Sequence, residues 1–187
     1  MDRLPLDTMF GAQRPIEVEL GAGDGSFLIA YASAHRDINF IGVERLLGRL
    51  RKIDRKGQRA NLENLRLLRM EASYVAQFLL LPGSAKAFHI YFPDPWPKRR
   101  HWKNRLITPG FVEVLKRAMV PGGTVHLRTD DRPYFDQMLE VFSGNPNFEK
   151  IHTPPELLRF ITDFERSFQE RGISRNEVSY RLRAGGR

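Results

Sequence analysis

Apolar positions along this chain fall into short blocks that alternate between two periods. Ile16-Glu17-Val18-Glu19-Leu20, 39–44, 65–70 and Ala87-Phe88-His89-Ile90-Tyr91-Phe92 read as strands, and 124–129 and 148–152 extend the set. Between them, 26–35, 45–60, 73–81, 108–119, 133–142 and 160–170 read as helices. Pro109 falls at a permitted first-turn position. Val178, Tyr180 and Leu182 alternate with polar residues and predict a half-buried last strand. Residues 1–14, interrupted by Pro5 and Gly11, read as a loose leader. Strand and helix alternate five times, which demands a mainly parallel sheet covered by helices on both faces. Ligands on such sheets bind outside the carboxyl ends of the strands. The last residue of each strand and the loop after it therefore carry the chemistry.

Those ends, in order, are Glu19, Glu44, Glu71, Asp94 and Thr129-Asp130. Acids are poor strand residues, so chance does not readily put one at all five ends. Each has a structural alternative as the cap of the following helix. Gly21-Ala22-Gly23-Asp24-Gly25 follows the first strand and lets backbone pass close to a ligand. It departs from the dinucleotide fingerprint, because Ser26 stands where the third glycine is expected. Glu19, two residues ahead of Gly21, suits a ligand carrying a cation near the turn. S-adenosylmethionine is such a ligand, and NAD is the competitor. Glu44, roughly 20 residues on, sits where an acid meets ribose hydroxyls. Glu71 is then placed to reach the adenine.

The fourth strand runs into the most distinctive stretch. Pro93, Pro95 and Pro97 forbid helix or ladder pairing and hold Asp94 and Trp96 in a rigid loop. Lys98, Arg99, Arg100, Lys103 and Arg105 follow, with His101 and Trp102 among them. A carboxylate and aromatics beside a cationic run suit a site that handles a base on a polyanion. A net charge of +8 points the same way, with nucleic acid as first partner and anionic membrane as second. A second cationic surface recurs at helical spacing through Arg45, Arg49, Lys52, Lys56 and Arg59, opposite an apolar stripe of Leu46, Leu50 and Ile53. The 187 residues, 41% hydrophobic, suffice for one domain with a real core. The absence of cysteine excludes disulfides, thiolate metal sites and cysteine nucleophiles. No apolar run is long enough to span a bilayer, and no signal-peptide core opens the chain, so the expected location is cytoplasmic.

Four strings together resemble the tRNA (guanine-N7-)-methyltransferases. They are Val18-Glu19-Leu20-Gly21-x-Gly23-x-Gly25, Phe40-Ile41-Gly42-Val43-Glu44, Phe92-Pro93-Asp94-Pro95-Trp96-x-Lys98-x-Arg100-His101 and Thr129-Asp130-x-x-x-Tyr134. Thr162-x-Phe164-Glu165 is similar to that family's last motif. The resemblance implies a Rossmann-like class I methyltransferase fold: a single α/β domain over 1–187, with a mainly parallel seven-stranded sheet and an antiparallel C-terminal strand. It implies S-adenosylmethionine as cofactor and methylation of guanine N7 in tRNA, at guanosine 46 of the variable loop, to give 7-methylguanosine. It places cofactor contacts at Glu19, Gly21, Gly23, Glu44, Glu71 and Asp94. Substrate contacts fall at Lys98, Asp130, Thr162, Asp163, Phe164 and Glu165, and the catalytic position at Asp94. It implies tRNA as partner, no metal and no membrane, and a monomer or homodimer. Two positions depart from the pattern: Glu71 stands where the family more often has Asp or Asn, and Pro97 where it often has His. A non-catalytic RNA-binding module would have no need of the strand-end acids, and a nicotinamide oxidoreductase is disfavoured by the glycine spacing.

Overall fold

The computed structural model describes residues 3–172 and 174–185. Its strands are β1 (Ile16–Leu20), β2 (Asn39–Val43), β3 (Leu65–Leu68), β4 (Ala85–Tyr91), β5 (Met119–Thr129), β6 (Phe148–Ile151) and β7 (Asn176–Leu182). They form one sheet in the order β3-β2-β1-β4-β5-β7-β6. β1 through β5 run parallel, and β7 is antiparallel to both β5 and β6. The mainly parallel sheet and its antiparallel last strand are thus as expected. The strand order reverses at β1 and β4, which is where such sheets open a ligand crevice.

The helices are α1 (Leu6–Met9), α2 (Ser26–Ala34), α3 (Leu47–Arg59), α4 (Ala72–Tyr74), α5 (Pro109–Ala118), α6 (Arg132–Ser143), α7 (Pro155–Arg159) and α8 (Asp163–Glu170). Thr108 caps α5 by accepting from Phe111 N at 3.2 Å, with Pro109 in the first turn. Asp131, not Asp130, caps α6, accepting from Tyr134 N at 2.7 Å. That leaves the Asp130 carboxylate out of the helix.

Period-2 alternation gives the sheet two unlike faces. Val18, Leu20, Ile41, Val43, Phe88, Ile90, Val125 and Leu127 build one, packed against Phe111, Val112, Leu115, Tyr134 and Met138. The other carries Glu17, Glu19, His89, Tyr91, His126 and Arg128, all buried, beneath Phe27, Tyr31 and Phe160. There the two histidines link most of the polar groups. His89 bonds Glu17 at 2.8 Å and the Tyr91 hydroxyl at 3.0 Å, and His126 bonds Ser179 at 2.8 Å and Thr124 at 2.9 Å. Burial raises the Glu17 carboxyl, but the His89 hydrogen bond and the nearby cations outweigh it and hold the group below its ordinary value.

Four expectations need correction. The leader is not loose: α1 forms within it, Leu6 and Phe10 are buried in the core, and Leu4 N bonds Leu79 O at 2.9 Å. Apolar residues hidden among polar ones dock the segment despite its breakers. The helix expected over 73–81 is one α turn followed by a π-helical stretch, Val75–Leu79. The helix expected over 160–170 starts three residues later, as α8 at Asp163, and the Pro154-Pro155 break is followed by a short helix that was not expected, α7. Finally, the apolar stripe of α3 is narrower than the spacing suggests. Ile53 and Gly57 are buried, whereas Leu46 is 47% exposed.

Ile53 also fixes the glycine turn. Gly25 has φ +79°, and a Cβ there would lie 2.7 Å from Ile53 Cγ1. Gly25→Ala is expected to lower unfolding free energy by about 2 kcal/mol, from backbone strain and overpacking together. Urea denaturation with an unchanged m-value would measure it.

Candidate active site

Two cavities lie side by side at the carboxyl ends of the parallel strands. The first, about 280 Å³, is walled by Glu19, Gly23, Phe27, Asp130, Thr162 and Phe164 among others. The second, about 460 Å³, is walled by Glu44, Leu46, Met70, Glu71 and Trp96 among others. Gly21, Arg49, Tyr91, Phe92, Pro93 and Asp94 belong to both. All five strand-end acids therefore reach one crevice, and Asp94 stands at the seam.

Glu19 is the least comfortable group in the site. It is 2% exposed, and Oε2 has no hydrogen-bond partner among the described residues. Burial pushes its carboxyl well above the carboxylate range; Arg128 opposes the shift, and Asp24 and Glu44 add to it. A buried carboxylate in a cavity wall with an unpaired oxygen calls for a cationic or N–H donor nearby. Gly21 and Gly23 have φ of +83° and +58°, with open space where a Cβ would stand. Backbone rather than side chain thus faces the ligand at this turn.

Glu44 and Glu71 each hold backbone as well as facing the second cavity. Glu44 Oε2 accepts from Gly23 N at 3.0 Å and Oε1 from Leu46 N at 2.7 Å, which ties the glycine turn to the start of α3. Glu71 Oε2 accepts from Ser73 N at 2.6 Å and caps α4. Capping and lining are not alternatives here: one oxygen serves the helix and the residue still walls the cavity.

The proline loop is held by a residue that charge counting misassigns. Arg105, read above as part of a cationic run, is 2% exposed. Its Nε donates to Pro95 O at 2.7 Å and its Nη1 to Gln137 Oε1 at 2.8 Å. The guanidinium sits between the rings of Trp102 (4.4 Å) and Tyr134 (4.7 Å). This brace sustains a strained backbone, since Phe92 and Trp96 have φ of +51° and +47°. Such conformations cost about 1–3 kcal/mol each and persist where the surroundings over-determine them. Asp94 lies between the two. The tryptophans divide their labour: Trp102 packs on Arg105, while Trp96, 37% exposed, walls the second cavity edge-on to His101.

The C-terminal motif is split likewise. Thr162 and Phe164 wall the first cavity; Lys98, Asp163 and Glu165 wall neither. Thr162 and Glu165 form a capping box, in which Glu165 N donates to Thr162 Oγ1 at 3.1 Å and Thr162 N to Glu165 Oε2 at 2.6 Å. Glu165 is 2% exposed and ion-paired with Arg128 and Arg175, so its carboxylate is held inside the fold. Asp163 N donates to Ser26 Oγ at 2.9 Å, and the Asp163 carboxyl is raised, chiefly by its hydrogen bond with Asp24. Of the cations noted at helical spacing over 45–59, Lys56 is spent on Asp24 at 2.7 Å, whereas Arg45, Arg49, Lys52 and Arg59 are exposed. Lys98, Arg99, Arg100 and Lys103 are exposed as well.

Known proteins match both the sequence and the fold. The family model Methyltransf_4, described as "Putative methyltransferase", matches residues 13–178. The tRNA (guanine-N(7)-)-methyltransferase of Rubrobacter xylanophilus is 36% identical over 174 residues, covering 93% of this chain and 78% of that one. Those of Halorhodospira halophila and Leifsonia xyli are 35% and 36% identical, covering 96% and 95% of this chain and 80% and 81% of theirs. Among solved structures, the 16S rRNA methyltransferase KamB aligns with a TM-score of 0.70 at 12% identity, covering 98% of this chain and 95% of that one. A 30S ribosomal A1408 methyltransferase from an uncultured bacterium aligns with a TM-score of 0.67 at 18% identity, covering 97% and 94%. These two show a shared methyltransferase fold. Relatives of this identity, over this share of both chains, make the chain a member of the tRNA (guanine-N(7)-)-methyltransferase family.

Proposed function

We propose that this chain methylates N7 of guanine in tRNA with S-adenosylmethionine as donor, and that its target is guanosine 46 in the variable loop. The observation that carries the reading is the unpartnered Glu19 Oε2 in the wall of a cavity that also holds Asp94. The cofactor fits these residues. Its ammonium would satisfy Glu19, the glycine turn would receive the amino-acid portion, Glu44 the ribose hydroxyls and Glu71 the adenine. When bound, it supplies an electrophilic methyl on a cationic sulfur.

Guanine N7 carries a free lone pair at neutral pH, so the chain need not provide a base. Its residues must align the purine and balance the positive charge that arrives on it. Asp94, at the seam of the two cavities, suits both tasks, by accepting from the N–H edge of the guanine or by facing the developing cation. Asp130, Thr162 and Phe164 wall the same cavity and would hold the nucleotide there.

The test is incubation of tRNA lacking 7-methylguanosine with labelled cofactor, followed by nucleoside analysis and mapping of the methylated base. Label in 7-methylguanosine at position 46 supports the proposal. Label elsewhere in the tRNA corrects the target, and no label sinks the activity.

The exposed cations beside the crevice supply a second expectation. Lys52→Ala and Arg100→Ala, neither in a cavity wall, should weaken tRNA binding and each flatten the log Kd against log salt slope by about one. Cofactor affinity should stay put. An unchanged slope would remove these two residues from the tRNA track.

A further inference from the structure

Arg128 walls neither cavity, yet it touches both sides of the site. It is 1% exposed and lies beside Tyr91 in the β4–β5 ladder. Its guanidinium carbon is 4.2 Å from the Tyr91 ring centre and 5.8 Å from that of Phe27, and both rings wall the first cavity. In the other direction, Nη2 donates to Leu157 O at 2.6 Å and Nη1 to Phe160 O at 2.8 Å. Nη1 also reaches Glu165 Oε2 at 3.2 Å, the oxygen that accepts from Thr162 N. One buried side chain thus joins the wall that carries Glu19 to the segment that carries Thr162 and Phe164.

Its two properties serve different sides. The carbonyls of Leu157 and Phe160 and the carboxylate of Glu165 are spread around the planar fork, a geometry that an ammonium does not reproduce. The positive charge, by contrast, lies on the sheet face that carries Glu19, two strands over with β4 between them, and opposes the burial of the Glu19 carboxyl. The other charged groups that act on Glu19 or share its cavity are Asp24 in the glycine turn, Glu44 after β2, Arg49 on α3, Asp94 after β4 and Asp130 after β5. Four of the five are acids.

We propose that Arg128 is a positioning residue with separable roles: its charge prepares Glu19 for a cationic ligand, and its fork holds the 157–165 segment where substrate is received. The inference rests on the methyltransferase reading above. It predicts that charge and geometry can be pulled apart by substitution.

The measurements are S-adenosylhomocysteine binding by calorimetry between pH 5 and 8, and the KM for tRNA, for wild type, Arg128→Lys and Arg128→Gln. Arg128→Lys should keep the cofactor-product Kd and its pH profile while the KM for tRNA rises about tenfold, as expected for a lost charged hydrogen bond. Arg128→Gln should raise both and move the acid limb of the binding profile to higher pH. Should Arg128→Gln fail to fold, Glu165→Gln takes its place, with KM for tRNA raised and binding of S-adenosylhomocysteine unchanged. An Arg128→Lys chain that weakens both quantities as Arg128→Gln does, or lysine and glutamine variants that both keep wild-type values, overturn the proposal. So does a Glu165→Gln chain that loses S-adenosylhomocysteine. A wild-type chain that takes up no S-adenosylhomocysteine overturns the methyltransferase reading itself, and this inference with it.

Discussion

Asp94→Asn should cut kcat for tRNA methylation by about a hundredfold, the loss expected when one preorganised group facing a developing charge is neutralised. Asparagine has the shape of aspartate, so the seam between the two cavities stays the same size. The backbone around it stays put too, because Arg105 holds Pro95 and the ring of Trp102 independently of the carboxylate. What changes is the charge facing the purine. Single-turnover rates at saturating tRNA isolate the chemical step, and S-adenosylhomocysteine binding is measured alongside. Turnover close to wild type would sink the assignment. A loss confined to cofactor-product affinity would move Asp94 from the base to the cofactor.

Glu19→Gln should weaken S-adenosylmethionine binding by about a hundredfold, as for a buried charged partner removed from a cation. The same change should raise the melting temperature of the free chain at neutral pH. Burial raises the carboxyl of Glu19 in the folded protein, so folding favours its protonated form. Stability from this group is present at acid pH and is lost as pH climbs from the ordinary carboxylate range through the raised value. Glutamine has no proton to lose and escapes the penalty. The melting temperatures of wild type and variant should therefore converge below the ordinary carboxylate range. A variant that melts below wild type at neutral pH would contradict the reading of Glu19 as an uncompensated buried acid.

The strand ends were legible because each acid interrupts an apolar run, which is a local signal. Five such interruptions, set on a parallel sheet, converge by topology alone. What escaped was everything settled by a distant partner. Nothing near Glu165 in the sequence announces its pairing with Arg128, 37 residues away. Arg105 looked like one more solvated cation until the fold turned it under the proline loop. Glu17, His89 and His126 gave no sign of a shared network, since nothing within any one strand hints at which strand lies next to it. The docking of Leu6 and Phe10 was hidden for a simpler reason. Leu6 and Phe10 stand four apart, a helical spacing, but Pro5 and Gly11 leave it too few residues to repeat.

The unlike faces of the sheet bear on how freely this sequence can drift. On the Val18, Ile90 and Leu127 side, contacts are non-directional, and swaps among aliphatics that keep volume cost little. On the Glu17, His89 and Arg128 side, each residue is specified by its neighbour's donor or acceptor, and single changes strand a buried polar group. A library of random variants selected for folding should accordingly fill one side with interchangeable residues and leave the other nearly invariant. Variability on the second side should come only in pairs, with both members of a hydrogen bond replaced together.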